Sequence, residues 1–219
     1  MQSLFRLSFA LVVVCGLWWA APAAAQALDT VTVDTVIANG PVIVVPVYVR
    51  DASGTALGID QPFGSRIQAF SLKVDYPASP FITGVTFTRA GITAPLTPTF
   101  ENSPSAAGTI SLLMTFDETT NLVPFVSNAA LPGNQVGQLT FTFSPATPPG
   151  TVVPLTLDAA LTQLSNEGGT TTETGGTLVR VPGSVTVLAP AVVPVVPTLS
   201  EWGLLLLAVG LAIVVLRRL

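Results

Sequence analysis

Along the centre of this chain, apolar and polar residues alternate with a period of two. Phe70, Leu72, Val74 and Tyr76 fall on one side, and Ser71, Lys73 and Asp75 on the other. This is the pattern of a strand with one face buried and the other in water. The alternation recurs in Ile110, Leu112, Met114 and Phe116 against Ser111 and Thr115, and in Leu139, Phe141 and Phe143 against Gln138, Thr140 and Thr142. Composition predicts further strands over Val31 to Ile37, Ile43 to Arg50, Val85 to Arg89, Val152 to Leu157 and Ser184 to Leu188. These runs are rich in β-branched residues, and turn-forming residues bound them. Thr162 to Ser165 either continues the strand begun at Val152 or forms its own. Thr170 to Thr174 reads as a loop or a ragged edge.

Short strands with one apolar face each can bury those faces only by stacking two sheets or closing a barrel. The expectation is therefore all-β, a jelly-roll-like two-sheet β-sandwich of about nine strands. The pattern changes at both ends. Met1 to Arg6 is basic, Leu7 to Trp19 is apolar, and Ala21 to Ala27 is small and alanine-rich. That order predicts a signal helix cut after Ala25 or Ala27, and hence export. A lipid anchor on Cys15 fits poorly, because Val14 stands where a small residue is needed. Residues 1–27 thus read as a signal peptide, 28–188 as one domain, 189–197 as a linker and 198–219 as a tail. Proline at 190, 194 and 197 makes the linker an extended, semi-rigid spacer.

The tail carries Val196-Pro197-Thr198-Leu199, two further residues, Trp202-Gly203, an apolar run from Leu204 to Leu216, and Arg217-Arg218. This string resembles the IPTL-CTERM sorting signal of bacterial envelope proteins, with Val196 in place of the leading Ile. The resemblance covers about a tenth of the chain and implies processing by a membrane protease of the exosortase H type. It places the protein in the envelope or on the surface of a Gram-negative bacterium, held by a short transmembrane helix at least until the tail is processed. From Gly203 to Leu216 a helix rises only about 21 Å, short of a hydrocarbon core of roughly 30 Å. Trp202 suits an interface, and the two arginines suit the cytoplasmic side. A permanent anchor is the alternative to a processed signal.

The domain also resembles the cohesin-like jelly-roll family that sits beside the carbohydrate-binding modules. The likeness lies in ordered landmarks: Ile43 to Val49, Ile67 to Tyr76, Gly137 to Phe141, Leu161 to Gly169 and Gly183 to Val187. It implies binding of a dockerin-like, calcium-loaded partner module, with no binding residue fixed by motif. Ser71, Lys73 and Asp75, on the solvent side of their strand, are the candidate binding face; an ordinary solvated strand face is the alternative.

Composition narrows the function. The chain has no histidine, and its one cysteine, Cys15, lies in the signal. Within residues 28–188, eleven acids face five bases, so clustered cations for nucleic acid are lacking. Trp18, Trp19 and Trp202 lie outside the domain, which therefore lacks the tryptophan platforms on which sugar faces stack. Phe63, Phe81, Phe100 and Phe125 sit near turns, where such rings either cap the core or face an envelope polysaccharide. Catalysis would need a carboxylate base, and the adjacent pair Asp117-Glu118 reads as solvated turn residues, so the expectation is a non-enzyme with no cofactor. Loop acids Asp51, Asp60, Asp117 and Asp158 are the candidates for a structural calcium ion.

Overall fold

The chain alternates because each strand lines a shared core with every second residue. The structure, a computed structural model, describes residues 27–189 and 199–217. In chain order its strands are β1 (Asp29–Val33), β2 (Thr35–Asn39), β3 (Val42–Arg50), β4 (Ala69–Asp75), β5 (Ile82–Arg89), β6 (Phe100–Asn102) and β7 (Ser105–Ala106). They continue as β8 (Thr109–Thr115), β9 (Asn134–Phe143), β10 (Thr151–Leu157), β11 (Gln163–Ser165), β12 (Thr172–Glu173), β13 (Leu178–Val181) and β14 (Gly183–Leu188). One helix, α1 (Leu199–Leu216), follows. The chain divides after Leu188 into two compact units, the strands in the first and α1 in the second.

The strands form two sheets. One has the order β13-β1-β3-β9-β5; the other has β12-β11-β4-β10-β14-β2, with β8 also paired to β4, and β6 and β7 paired to β8. Between them lie Ile43, Val45, Val47 and Val49 of β3, Phe70, Leu72 and Val74 of β4, Ile110, Leu112 and Met114 of β8, and Leu139, Phe141 and Phe143 of β9, all buried. At roughly 1.5–3 kcal/mol for each large apolar side chain removed from water, this alternation is the main term holding the sandwich together. Tyr76 turns inward with them, its ring edge-on to Phe141 at 5.4 Å and its hydroxyl donating to the Ala106 carbonyl at 3.1 Å.

The sandwich is as expected, but it has more and shorter strands. The run Val31 to Ile37 is two strands: β1 pairs with β3 in one sheet and β2 with β14 in the other. The break is at Asp34, whose N–H donates to the Pro46 carbonyl and whose carboxylate accepts from Thr35 N–H at 2.8 Å. The closing strand breaks in the same way, β13 running parallel to β1 and β14 parallel to β2. Gly183 lies at this double crossing, where a Cβ would stand 2.1 Å from the Asp34 carbonyl oxygen. The expected signal helix lies outside the described residues.

Candidate functional site

β4 sits inside its sheet and shows its polar side to solvent. Ser71 stands opposite Leu113 of β8 and Gln163 of β11, Lys73 opposite Ser111, and Asp75 opposite Thr109 and Thr156. On the far side of β8, Asn102 stands opposite Leu113 and Phe100 opposite Thr115. Residues directly opposite across a sheet share a face, so the three candidate residues belong to a broad outer surface with Leu113 and Phe100. Those two are 38% and 53% exposed, and they are the large apolar side chains on a part of the face that is otherwise polar.

The charges on this surface are pre-set. Lys73 Nζ lies 3.0 Å from Asp158 and 3.3 Å from Asp75. The Asp158 carboxylate also accepts from the N–H groups of Ala160 and Leu161, and Ser71 Oγ donates to the Leu161 carbonyl at 3.0 Å. Lys73 first, then these backbone donors, holds the Asp158 carboxyl below its usual range; Asp158 in turn holds the Lys73 ammonium above its own. The turn after β10 thus fixes the side chains of β4, leaving Leu113 and Phe100 as apolar area with no covering group. Sequence reading passed over Leu113, although it is the one apolar residue on the polar side of Ile110 to Phe116.

A second group gathers under the loop after β3. Asp29 and Asp51 are fully buried and Glu173 is 1% exposed. Each directs one oxygen at a backbone N–H of that loop or its start: Ala52 to Asp29 at 2.7 Å, Leu57 to Glu173 at 3.1 Å and Ile59 to Asp51 at 2.8 Å. Gly54 N–H donates to the exposed Asp60 at 3.0 Å. The other oxygen of each buried carboxylate, Asp29 Oδ2, Asp51 Oδ1 and Glu173 Oε2, meets no N–H or hydroxyl donor, and the Asp29 and Glu173 carboxyls hydrogen-bond to one another. Burial, and then the Glu173 carboxyl beside it, pushes the Asp29 carboxyl far above the usual range. Burial chiefly, with Asp60 and Glu173 adding to it, raises Asp51.

The four expected calcium ligands are therefore not one group. Asp51 and Asp60 share this loop, while Asp158 holds Lys73. Asp117 caps its own turn, accepting from the Thr119 hydroxyl and from the Thr120 and Thr119 N–H groups at 2.8 Å, which together hold its carboxyl down at about 2. Asp29 and Glu173 were not foreseen, because β1 and β12 reach the loop only through the fold. The reading of Asp117-Glu118 as solvated is corrected for Glu118, which is 4% exposed, accepts from Gly64 N–H at 2.8 Å and lies 3.6 Å from Arg66. Of the turn phenylalanines, Phe125 is buried and Phe63 and Phe100 are exposed.

In the second unit, α1 contains Leu199, Trp202 and Gly203, with Arg217 next after it. Val196, Pro197, Thr198, Arg218 and Ala25 lie outside the described residues, and Ala27 precedes β1. At about 1.5 Å per residue the 18 residues of α1 rise roughly 27 Å. Among the described residues no helix is long and apolar enough to cross a membrane.

Comparison with known proteins agrees with both units. Residues 196–219 match the IPTL-CTERM motif. No curated protein matches the chain. Among solved structures, the sandwich is similar to the sixth cohesin of Acetivibrio cellulolyticus scaffoldin B, crystallised with a Cel5 dockerin, at TM-score 0.52 and 15% identity over 74% of this chain and 99% of that one. The third ScaC cohesin of that organism, in complex with the ScaB dockerin, gives 0.52 and 15% over 74% and 100%. The seventh ScaB type I cohesin of Pseudobacteroides cellulosolvens gives 0.50 and 20% over 78% and 99%. The class is thus a cohesin-like β-sandwich followed by an IPTL-CTERM sorting motif.

Proposed function

We propose that this is an exported, non-catalytic envelope protein whose sandwich binds a protein partner through the outer surface of β4, β8 and β6. The observation that carries the proposal is the placement of Leu113 and Phe100, large apolar side chains left exposed beside a fixed Lys73-Asp75-Asp158 charge group. An apolar centre with a polar surround is the composition of a docking surface. Two of the cohesins with this fold were solved in complex with dockerins, which makes a dockerin-like module the partner to seek. The tail fits a surface-sorting role. The described side chains of α1 from Leu204 to Leu216 are apolar and exposed, a surface suited to lipid while the motif is held for an exosortase-type membrane protease.

Polysaccharide binding is the second reading, and it rests on the exposed rings of Phe63 and Phe100. One capture experiment separates the two. The full chain, held in mild detergent, is used as bait for the host's secreted and envelope proteins, with calcium present and then chelated. A stoichiometric protein partner lost in the Leu113→Asp variant supports the proposal. Capture that is unchanged by L113D moves the surface elsewhere on the domain. Absence of any protein partner, with retention on envelope polysaccharide, overturns the proposal in favour of the second reading.

A further inference from the structure

Three buried carboxylates without a facing positive charge are costly, because removing each from water loses several kcal/mol of hydration that only a counter-charge or a proton restores. Asp29, Asp51 and Glu173 take part in no ion pair among the described residues; Asp29 and Glu173 offset part of the cost by sharing a hydrogen bond, and Asp51 has no such carboxyl partner. Arg50 attracts Asp51, but its Nε donates to the Ala129 carbonyl at 2.9 Å. The oxygens left over are not scattered. Asp29 lies beside Glu173, and Asp51 lies near Glu173 and Asp60. At Gly58 (φ +149°) a Cβ would stand 2.6 Å from Asp51 Oδ1 and 2.8 Å from Asp60 Oδ1, so a glycine keeps a space open between those two oxygens. A surface depression of about 200 Å³, lined by Thr55, Ala56, Thr172 and Glu173 among others, gives solvent a route to Glu173.

We infer that the loop after β3, with Asp29 of β1 and Glu173 of β12, is a calcium site whose ligands are Asp29, Asp51, Asp60 and Glu173. The donors are all oxygen, and the chain has no histidine, so the set suits a hard cation rather than zinc. Calcium is favoured over magnesium, since it accepts an irregular set of carboxylates, loop carbonyls and water where magnesium demands a near-ideal octahedron. Among the described residues no three acidic side chains are already drawn tightly enough together to hold a metal ion. Closing the site therefore requires the Asp51 and Asp60 carboxylates, held in this structure by the Ile59 and Gly54 N–H groups, to turn towards the Asp29-Glu173 pair. Closing it ties β1 and β12 to the loop, joining the two sheets at one end of the sandwich.

The test is calorimetric titration of calcium chloride into the chelator-stripped full chain in detergent, with thermal melts run alongside. One bound ion is expected, with a melting temperature raised by roughly 5–10 °C at free calcium a hundredfold above Kd. Asp60→Asn, at an exposed position, should leave folding intact and weaken binding at least about tenfold. Glu173→Gln should do the same or more. Asp117→Asn, outside the site, should bind as the parent does. No binding heat and no melting shift at millimolar calcium overturn the inference, as does binding untouched by both D60N and E173Q. The stripped chain is tested without any partner, so this outcome is independent of the capture experiment.

Discussion

Replacing Gly183 by alanine puts one methyl group where two strands change sheets together. The added Cβ would lie 2.1 Å from the Asp34 carbonyl oxygen, 2.4 Å from that of Val33 and 2.8 Å from the Asp34 carbonyl carbon. Carbon and oxygen in contact need more than 3 Å, so the backbone must part by on the order of 1 Å. No rotamer relieves the clash, because every atom it meets is main chain. The neighbouring pairs Ser184-Thr35 and Leu155-Gly183 share the strain. Overpacking of this kind costs about 3 kcal/mol, the upper part of the usual range, because the obstacle is backbone. That is roughly a 150-fold loss in the folded-to-unfolded ratio, and a fall of roughly 6–12 °C in Tm for a domain of this size. The sandwich has no tryptophan, so the assay is thermal unfolding by far-UV circular dichroism. Gly176→Ala is the control: nothing lies within 4 Å of its Cβ, and the change should be neutral or stabilise by up to about 1 kcal/mol. A G183A melt within about 2 °C of the parent refutes the tight crossing.

Phe141→Ala should cost about 3–5 kcal/mol in chemical unfolding, because the ring is fully buried and lies between Tyr76 at 5.4 Å and Phe143 at 6.2 Å; a loss below about 1 kcal/mol contradicts the packing described. The Asp117 carboxyl, followed by carbon NMR, should titrate at about 2. Its folded value is depressed, so its contribution is present above the ordinary 3.8 and lost as pH falls towards about 2. A midpoint near 3.8 would mean the turn hydrogen bonds do not persist in solution. For the tail, the intact mass of protein recovered from the host envelope should lack α1, and replacing Pro197, Thr198 and Leu199 together by alanine should restore the longer mass. A parent protein that keeps α1 points to a permanent anchor.

Strands whose inward side is apolar at every second residue were legible because burial of one face leaves its mark at that spacing. β4, β8 and β9 are of this kind, and their inward residues Phe70, Leu112 and Phe141 are all buried. The division of Val31 to Ile37 was not legible. Asp34 is only a polar residue in a β-branched run, and its role depends on Pro46 and Gly183, distant in sequence. β6, β7 and β13 escaped for another reason. They are edge or two-to-four-residue strands fixed by pairing with β8 or β1, and hydrogen bonding carries no hydrophobic period.

The two candidate sites differ in the same way. Ser71, Lys73 and Asp75 could be placed on one outer face from spacing alone, whereas Leu113, an apolar residue out of phase, was passed over although its signal was there. What spacing could not supply was Asp158, which reaches Lys73 from a turn 85 residues away. The buried acids were harder still, because an Asp after a strand ordinarily signals a solvated turn. Asp51 follows β3 in that manner, yet it is fully buried. Asp29 and Glu173 are carried to the same end by β1 and β12, and each of the three acids accepts from a loop N–H that a hydrophobic side chain would leave buried without an acceptor. Those loop bonds account for one oxygen of each carboxylate; the second oxygen of Asp51, which faces Asp60 across Gly58, is what the proposed cation would satisfy.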